Sequence, residues 1–298
     1  MALYAIDGTW NTPRNGEEEV RNTNVMQFCR RYEGGTFYEP GVGTKLGFFG
    51  KLFGGAFGIG GDSRVDRLYR NVCHTWVHGD REIEIIGFSR GAALALDLAN
   101  TLFRKGIRHP ESSEKVAAEP PIRFMGLWDT VGSFGLTLGP FQKVNLGHHL
   151  GLPKSVLHCF HALALDERRT NFAPTRLGDR AYEVWFRGNH SDVGGGNGNT
   201  GLNNISLLWM LRKALAVGLP VTESKFPQET DLDFDAELNE PLDPVPTRHR
   251  KIADTDCIHY SVRVRPGGRF NNPGEQCAIE DASLEGERLL LERAGTRT

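Results

Sequence analysis

The sequence has 298 residues, of which 39% are hydrophobic and 24% are charged, a composition typical of a globular protein. With 35 Lys and Arg against 37 Asp and Glu, the net charge is -2, and this balance argues against nucleic acid as a partner. Five cysteines without a C-x-x-C pair predict reduced, buried thiols. We expect one catalytic domain over residues 1–298.

The N-terminal segment carries an acid at Asp7 and no basic region before it, so we expect no Sec signal. No stretch reaches the roughly 18 apolar residues that a membrane-spanning helix needs. The sequence therefore predicts a protein made in the cytoplasm, whose export would use a route without a cleavable signal.

Predicted strands alternate with predicted helices along the chain. The strands are predicted at 3–6, 82–87, 122–127, 181–186 and 258–264. The helices are predicted at 20–31, 63–78, 92–103, 155–165, 203–217 and, as a short charged helix, from 282. The acidic, proline-containing stretch 221–257 is predicted to be a surface excursion. This alternation predicts an α/β fold, with a mostly parallel sheet covered by helices on both faces. Active sites in such folds lie beyond the carboxyl ends of the strands.

A G-x-S-x-G pattern, Gly87-Phe88-Ser89-Arg90-Gly91, follows an apolar strand and precedes an alanine-rich helix. In that context a sharp turn lifts the serine hydroxyl above the edge of the sheet. The helix N-terminus behind it favours developing negative charge. The alternative is an ordinary turn in which Ser89 is only a helix N-cap. The strand–turn–helix placement favours Ser89 as the nucleophile of a serine hydrolase.

Two groups of backbone N–H donors are predicted for an oxyanion hole. The first is the N–H of Arg90, the residue after the nucleophile. A second donor normally comes from a loop after an early strand, and Gly8 or Thr9 fits that position. The alternative for Asp7-Gly8 is a plain turn.

A serine hydroxyl needs a histidine to take its proton and a carboxylate to orient that histidine. Asp129 stands where a predicted strand ends at a glycine-containing turn, and it is the predicted acid; its alternative is an Asx turn. His190 follows a predicted strand and precedes a glycine run, and it is the predicted base. His259 is the rival base, but it stands at the start of its predicted strand, on the opposite edge of a parallel sheet.

Four other polar residues have weaker claims on the site. His158 and His161 fall in a predicted apolar helix, where we expect packed core histidines. Asp192, two residues after His190, invites a metal site, but no ligand cluster of matching spacing accompanies it, so we predict neither metal nor cofactor. Asp192 is instead predicted to support the site or to be the triad acid itself, and Asp7 is a further supporting candidate.

Five motifs occur in a fixed order along the chain. They are Asp7-Gly8-Thr9-Trp10-Asn11, the elbow 87–92, the segment 128–132, the segment 161–169 and the glycine-rich segment 190–196. In these motifs the chain resembles, from residue 3 to about 265, a bacterial α/β-hydrolase domain family. That family includes the first family of type VI secretion lipase effectors.

The resemblance implies a phospholipase that cuts acyl esters of membrane glycerophospholipids through a Ser-Asp-His triad, at Ser89, Asp129 and His190. It also implies an antibacterial toxin, secreted by the type VI system into the periplasm of a target cell. A secretion-apparatus partner and an immunity protein follow from the same resemblance. The segment 48–53, rich in phenylalanine, is predicted to be a lid or membrane-touching loop, the alternative being a loop packed on the protein.

Two other functions remain open at this point. The chain has little sequence beyond the predicted hydrolase core, which favours a cytoplasmic esterase or thioesterase acting on a small acyl substrate. A catalytically idle binding module on the same fold is the other alternative, and the intact set of Ser89, Asp129 and His190 argues against it.

Overall fold

A computed structural model describes residues 1–9, 11–41, 57–132, 150–239, 247–265 and 271–280. Its strands are β1 Ala2–Ile6, β2 Gly35–Glu39, β3 Ile83–Phe88, β4 Ile107–Arg108, β5 Lys115–Ala117, β6 Ile122–Trp128, β7 Val156–Ala164, β8 Tyr182–Phe186, β9 Cys257–His259 and β10 Ala278–Glu280. Its helices are α1 Asn24–Cys29, α2 Phe57–Val77, α3 Arg90–Lys105, α4 His190–Gly194, α5 Thr200–Ala216 and α6 Ser261–Val264.

Eight of these strands form one sheet in the order β10-β9-β8-β7-β6-β3-β1-β2. Every pairing between neighbours in this sheet is parallel. Strands β4 and β5 form a separate antiparallel pair. The predicted α/β fold with a mostly parallel sheet is therefore confirmed.

Helices cover both faces of this sheet, and successive strand residues alternate between the two cores. Tyr4 and Ile6 of β1 pack in the core that includes Leu68 of α2 and the alanine-rich face of α3. Leu3 and Ala5 point the other way, into the core that α1 and α5 complete. Because side chains of a strand alternate with a period of two, a strand in this position must be apolar throughout. This explains the unbroken apolar run at the start of the chain.

The strand register brings the carboxyl ends of the central strands to one edge. Ile6 pairs with Gly87, Phe88 pairs with Trp128, and Ala164 pairs with Phe186. The residues that follow β1, β3, β6, β7 and β8 consequently meet above the same edge of the sheet. That edge holds the candidate site.

Two predicted elements are wrong. Residues 155–165 are not a helix: Val156–Ala164 form β7, which pairs with β6 on one side and β8 on the other. A central strand buried on both faces has the same apolar run as a buried helix, so periodicity could not separate them. The predicted strand 258–264 is the second error, because β9 ends at His259 and Ser261–Val264 form a helical turn.

Other boundaries moved by several residues. The first helix is only Asn24–Cys29 and follows a 3-10 turn at Gly16–Arg21, whereas α2 begins at Phe57. The described residues of the stretch 221–257 are exposed at many positions, but Arg250 among them is buried. The predicted lid at 48–53 and the predicted helix from 282 lie outside the described residues.

No helix in the described ranges is long and apolar enough to span a membrane. The five cysteines are all free thiols, and Cys73, Cys159 and Cys277 are buried. Cys29 and Cys257 are half-buried, so the prediction of buried thiols holds for three of the five.

The crossing of α3 over β1 predicts that Gly91→Ala destabilises the protein. A Cβ at Gly91 would overlap the backbone carbonyl oxygens of Ile6 and Asp7, which cannot rotate away. We expect a loss of about 2 kcal/mol in the free energy of unfolding, measured by urea denaturation. The matched control is Gly151→Ala, because Gly151 is exposed and a Cβ added there would meet nothing within 4 Å. Equal stability of the two variants would contradict the packing argument.

Candidate active site

Ser89 lies in a strained turn between β3 and α3. Its backbone has φ 58 and ψ -126, a conformation that non-glycine residues rarely adopt. The Ser89 N–H donates to the Trp128 carbonyl oxygen over 2.9 Å, and the Ser89 carbonyl accepts from Val131 N over 3.2 Å. The turn is therefore fixed by backbone hydrogen bonds to the chain around the end of β6. This geometry is that of the predicted nucleophile elbow.

The structure brings the three predicted triad residues together. His190 Nε2 lies 2.8 Å from Ser89 Oγ, and His190 Nδ1 lies 2.6 Å from Asp129 Oδ2. Asp129 directly follows β6, and His190 is the first residue of α4, four residues after β8 ends at Phe186. All three side chains are buried. The hydrogen-bonded chain from hydroxyl to imidazole to carboxylate is continuous.

The Asp129 carboxylate accepts four hydrogen bonds. Oδ1 accepts from Ala164 N over 3.0 Å and from an Arg250 guanidinium nitrogen over 2.6 Å. Oδ2 accepts from His190 Nδ1 and, over 3.0 Å, from the second terminal nitrogen of Arg250. Burial would raise the pKa of Asp129, but the Arg250 charge and the His190 contact outweigh it and hold the pKa well below its ordinary value. Asp129 is thus ionised at neutral pH. Its backbone, like that of Ser89, has a positive φ, of 40.

The His190 ring is held in one orientation and one tautomer. Phe88 and Phe172 flank it, with ring centroids 4.6 Å and 4.8 Å away. Because Asp129 is ionised, Nδ1 must carry the proton that it donates, and the lone pair of Nε2 faces the Ser89 hydroxyl. Burial lowers the pKa of His190, and the negative charges of Asp129 and Glu167 only partly oppose this. A neutral imidazole aimed at a hydroxyl is the arrangement that a general base requires.

Phe88 packs in a narrow slot between two glycines from distant motifs. A Cβ at Gly8 would lie 2.8 Å from its ring, and a Cβ at Gly194 would overlap the ring directly. The Phe88 side chain is itself buried and forms one wall beside His190. The glycines of the first and last motifs are therefore needed to admit the aromatic residue that precedes Ser89.

Asp7 supports the turn that follows β1. Its Oδ1 accepts the Gly8 N–H over 2.6 Å, and its Oδ2 accepts from the Thr23 and Tyr38 hydroxyls, each over 2.6 Å. Burial raises the pKa of Asp7 to about 6 against the effect of these hydrogen bonds. Since the Gly8 N–H is used within the turn, Thr9 is the candidate that remains there for an oxyanion donor.

Asp192 holds the loop around His190 and does not contact the imidazole nitrogens. Within the described residues, its two carboxylate oxygens accept from amide groups only. These amides belong to Asn189, Asn197, Asn199 and Asn239. The contact that a triad acid makes with Nδ1 belongs to Asp129 instead.

His259 is placed differently from the prediction. It is the last residue of β9, at the carboxyl end, because the predicted strand ends there instead of beginning there. Its ring stacks on Phe186 at 4.7 Å, and its Nδ1 lies 2.8 Å from Ser261 Oγ. Burial, aided by the charges of Arg212 and Lys213, lowers the pKa of His259 to about 3. The histidine that contacts Ser89 is His190.

Three residues to which the sequence analysis gave no role in the site support its geometry. Arg250 contacts Asp129, and Glu167 Oε2 accepts the His190 backbone N–H over 3.2 Å. His161, expected only as a packed histidine, is buried in β7 and hydrogen-bonded at both ring nitrogens, to Thr130 N and to Glu183. His161 and Glu167 belong to the motif 161–169, which could have indicated their place in the site. No sequence motif contains Arg250. His158, by contrast, is half-buried near the start of β7.

Within the ranges that the structure describes, no cluster of three or more His, Cys, Asp or Glu side chains could hold a metal ion.

Strain at Ser89 predicts that Ser89→Gly is more stable than Ser89→Ala. Both changes remove the hydroxyl and its contact with His190, but only glycine adopts φ 58 and ψ -126 without steric cost. We expect the glycine variant to be more stable by about 1 kcal/mol, after the greater flexibility of glycine in the unfolded chain is subtracted. Thermal or urea denaturation of the two variants measures the difference. A less stable glycine variant would show that the turn carries no such strain.

Comparisons with known proteins give a family and two similar solved structures. A family model for the catalytic domain of Tle1-like phospholipase effectors of the type VI secretion system (T6SS) matches residues 3–119 and 108–213. The comparison with curated proteins gives no significant match. An uncharacterized protein from Pseudomonas aeruginosa has a similar solved structure, with a TM-score of 0.54 and 19% identity over 77% of this chain and 48% of that one.

A second solved structure is described as the Tle1 effector bound to the VgrG spike from the Type 6 secretion system. It gives a TM-score of 0.49 and 21% identity over 65% of this chain and 50% of that one. The chain thus spans about half the length of the two solved proteins, and at 19% identity the likeness to the first concerns the fold alone. The family model, in contrast, matches more than half of the chain, and the chain therefore belongs to the Tle1-like family of type VI secretion phospholipase effectors, as a catalytic domain.

Proposed function

We propose that this chain is a serine ester hydrolase of the α/β-hydrolase type, which cleaves acyl esters of membrane glycerophospholipids. The observation that carries the proposal is the hydrogen-bonded chain in which His190 lies 2.8 Å from Ser89 Oγ and 2.6 Å from Asp129 Oδ2. A buried, neutral imidazole between a hydroxyl and an ionised carboxylate supports acyl transfer more directly than any binding role.

The proposed reaction has two halves. In the first, Ser89 Oγ attacks the acyl carbonyl carbon while its proton passes to His190 Nε2, and the imidazolium is stabilised by Asp129. The tetrahedral intermediate then expels the alcohol of the lipid, which takes the proton from Nε2, and an acyl-serine ester remains. In the second half, water attacks this ester with His190 again as the base, which releases the fatty acid and restores the Ser89 hydroxyl.

Negative charge develops on the carbonyl oxygen, and backbone donors are proposed to stabilise it. Arg90 begins α3, so its N–H lies at the positive end of a 16-residue helix, next to Ser89. Thr9, in the turn after β1, is the proposed second donor, because β1 pairs with β3 and the two strands end side by side. The Gly8 N–H would have to leave Asp7 Oδ1 before it could serve.

The lipid substrate and the biological setting are proposed from the family. Its description as a phospholipase effector family supports membrane glycerophospholipid as the substrate and transient contact with a membrane surface. It also supports secretion by the type VI system, with a component of that apparatus as a partner and the periplasm of a target cell as the place of action. An immunity protein that protects the producing cell is proposed on the same basis.

The central prediction is that Ser89→Ala removes lipid hydrolysis without unfolding the protein. Among the described residues the hydroxyl hydrogen-bonds to His190, so its loss should leave the fold intact. Loss of a triad nucleophile elsewhere lowers turnover on the order of 10⁴-fold or more. Fatty acid and lysolipid released from phosphatidylethanolamine and phosphatidylglycerol vesicles are measured by mass spectrometry for both proteins. Circular dichroism of the variant checks that the fold is intact.

Three outcomes of this experiment separate the candidate functions. Release of fatty acid by the unmodified chain, and not by Ser89→Ala, supports the phospholipase. Turnover of short acyl esters or thioesters without release from vesicles would favour the small-substrate esterase. A folded chain that neither turns over esters nor reacts with a fluorophosphonate probe would contradict a serine hydrolase and favour a binding module.

The assignment of His190 as the base predicts that only one of two buried histidines is needed for labelling of Ser89. His190→Gln should lower the rate of fluorophosphonate labelling on the order of 10⁴-fold, because Ser89 loses its proton acceptor. His259→Gln is the matched control: its ring is equally enclosed but contacts Phe186 and Ser261. The folded fraction of this control should label at the rate of the unmodified chain. The reverse pattern would overturn the assignment of His190.

A further inference from the structure

We propose that Arg250 is a positioning residue of the candidate site. It fixes the Asp129 carboxylate and compensates part of the negative charge that this carboxylate presents to His190. The catalytic consequence of this inference rests on the proposed function, whereas the electrostatic part concerns His190 alone. Arg250 lies in none of the five sequence motifs, and its pairing with the proposed triad acid was not predicted.

The contact between Arg250 and Asp129 is bidentate. Two guanidinium nitrogens donate to the two carboxylate oxygens over 2.6 Å and 3.0 Å, and both side chains are buried. A planar guanidinium paired in this way fixes the plane of the carboxylate as well as its position. Oδ2 of that carboxylate is the atom that accepts from His190 Nδ1, so the plane sets the direction of the imidazole.

Arg250 is itself held from several sides. Its guanidinium also donates to the carbonyl oxygens of Ala164, over 2.6 Å, and of Phe172. The Arg250 carbonyl accepts from Asn271 Nδ2 over 2.9 Å. Two residues earlier, Arg248 N donates to the Arg168 carbonyl over 2.7 Å. The arginine is therefore positioned by fixed backbone groups as well as by Asp129.

The charges around His190 are paired in the same manner. Four groups face the imidazole or its backbone: Asp129 after β6, Glu167 after β7, Ser89 at the elbow and Arg250. Each of the two acids carries an arginine, since Arg169 binds Glu167 through two nitrogens as Arg250 binds Asp129. Asp192, on the helix of His190, directs its carboxylate to amides.

This pairing leaves His190 with little uncompensated negative charge. Burial lowers the pKa of His190, Asp129 and Glu167 oppose that effect, and Arg250 reinforces it. The imidazole therefore stays neutral, and competent as a base, at lower pH than an unpaired Asp129 would allow. Arg250 lies outside residues 3–119 and 108–213, the part of the chain that the family model matches.

The test is Arg250→Met, which removes the charge and the donors at similar side-chain length. In the full chain with ¹⁵N-labelled histidine, the titration of His190 is followed by NMR and assigned by comparison with His190→Gln. We expect the pKa of His190 to rise, so that the acid limb of fluorophosphonate labelling moves to higher pH. At its pH plateau the labelling rate should fall roughly 10- to 100-fold, as for loss of a charged hydrogen bond.

Two other variants separate positioning from a structural role. Arg250→Lys keeps the charge but not the planar fork, so the titration of His190 should stay near that of the unmodified chain while the plateau rate falls. Arg187→Met is the matched control, because Arg187 is also buried and pairs with Asp166 at 2.8 Å. It should lower thermal stability without moving the titration of His190.

An unchanged or lower pKa of His190 in folded Arg250→Met would overturn the proposal and leave Arg250 as a structural tether. If that variant does not fold, Arg250→Lys decides: a plateau rate equal to that of the unmodified chain overturns the positioning role. A pKa of His190 above the ordinary range in the unmodified chain overturns the charge argument. Because NMR needs no turnover, a shifted titration without any labelling would contradict the proposed function and leave this inference standing.

Discussion

The buried carboxylate of Asp129 is the constraint on which the geometry of the site depends. A charge of this kind is costly inside a protein unless hydrogen bonds and an opposite charge compensate it. Here the compensation comes from the backbone of β7, from the first residue of α4 and from an arginine 121 residues later in the sequence. Breaking one of these contacts leaves a buried charge undercompensated, so the segments that supply them are held in one arrangement.

The parallel sheet makes this convergence possible. Because neighbouring strands end in register, the residues that directly follow β1, β3, β6, β7 and β8 lie side by side. Two non-glycine residues at this edge, Ser89 and Asp129, have positive φ. Their strain is balanced by backbone hydrogen bonds from the neighbouring chain, including Ser89 N to Trp128 O and Asp129 N to Ala162 O. The stable sheet thus supports unfavourable local conformations where side chains must project.

The sequence predicted the features that depend on local pattern or on strand order. The elbow followed from a motif in its strand–turn–helix context, and the grouping of Ser89, Asp129 and His190 followed from the rule that parallel strands end at one edge. The rejection of His259 illustrates a limit. It was set aside because of its place in a strand that the structure shortened, while its actual environment is a packed aromatic cluster next to Ser261. Strand β7 was missed because a doubly buried strand has no polar alternation, and Arg250 because long-range pairing leaves no local trace.

The slot around Phe88 is formed by residues that are far apart in the sequence. The ring fills the space that side chains at Gly8 and Gly194 would otherwise occupy, and it also lies against His190. We therefore expect the aromatic residue before Ser89 and these two glycines to vary together among related sequences. A related sequence with a small residue in place of Phe88 would have more room for alanine at the other two positions, whereas one that keeps the aromatic ring would need both glycines.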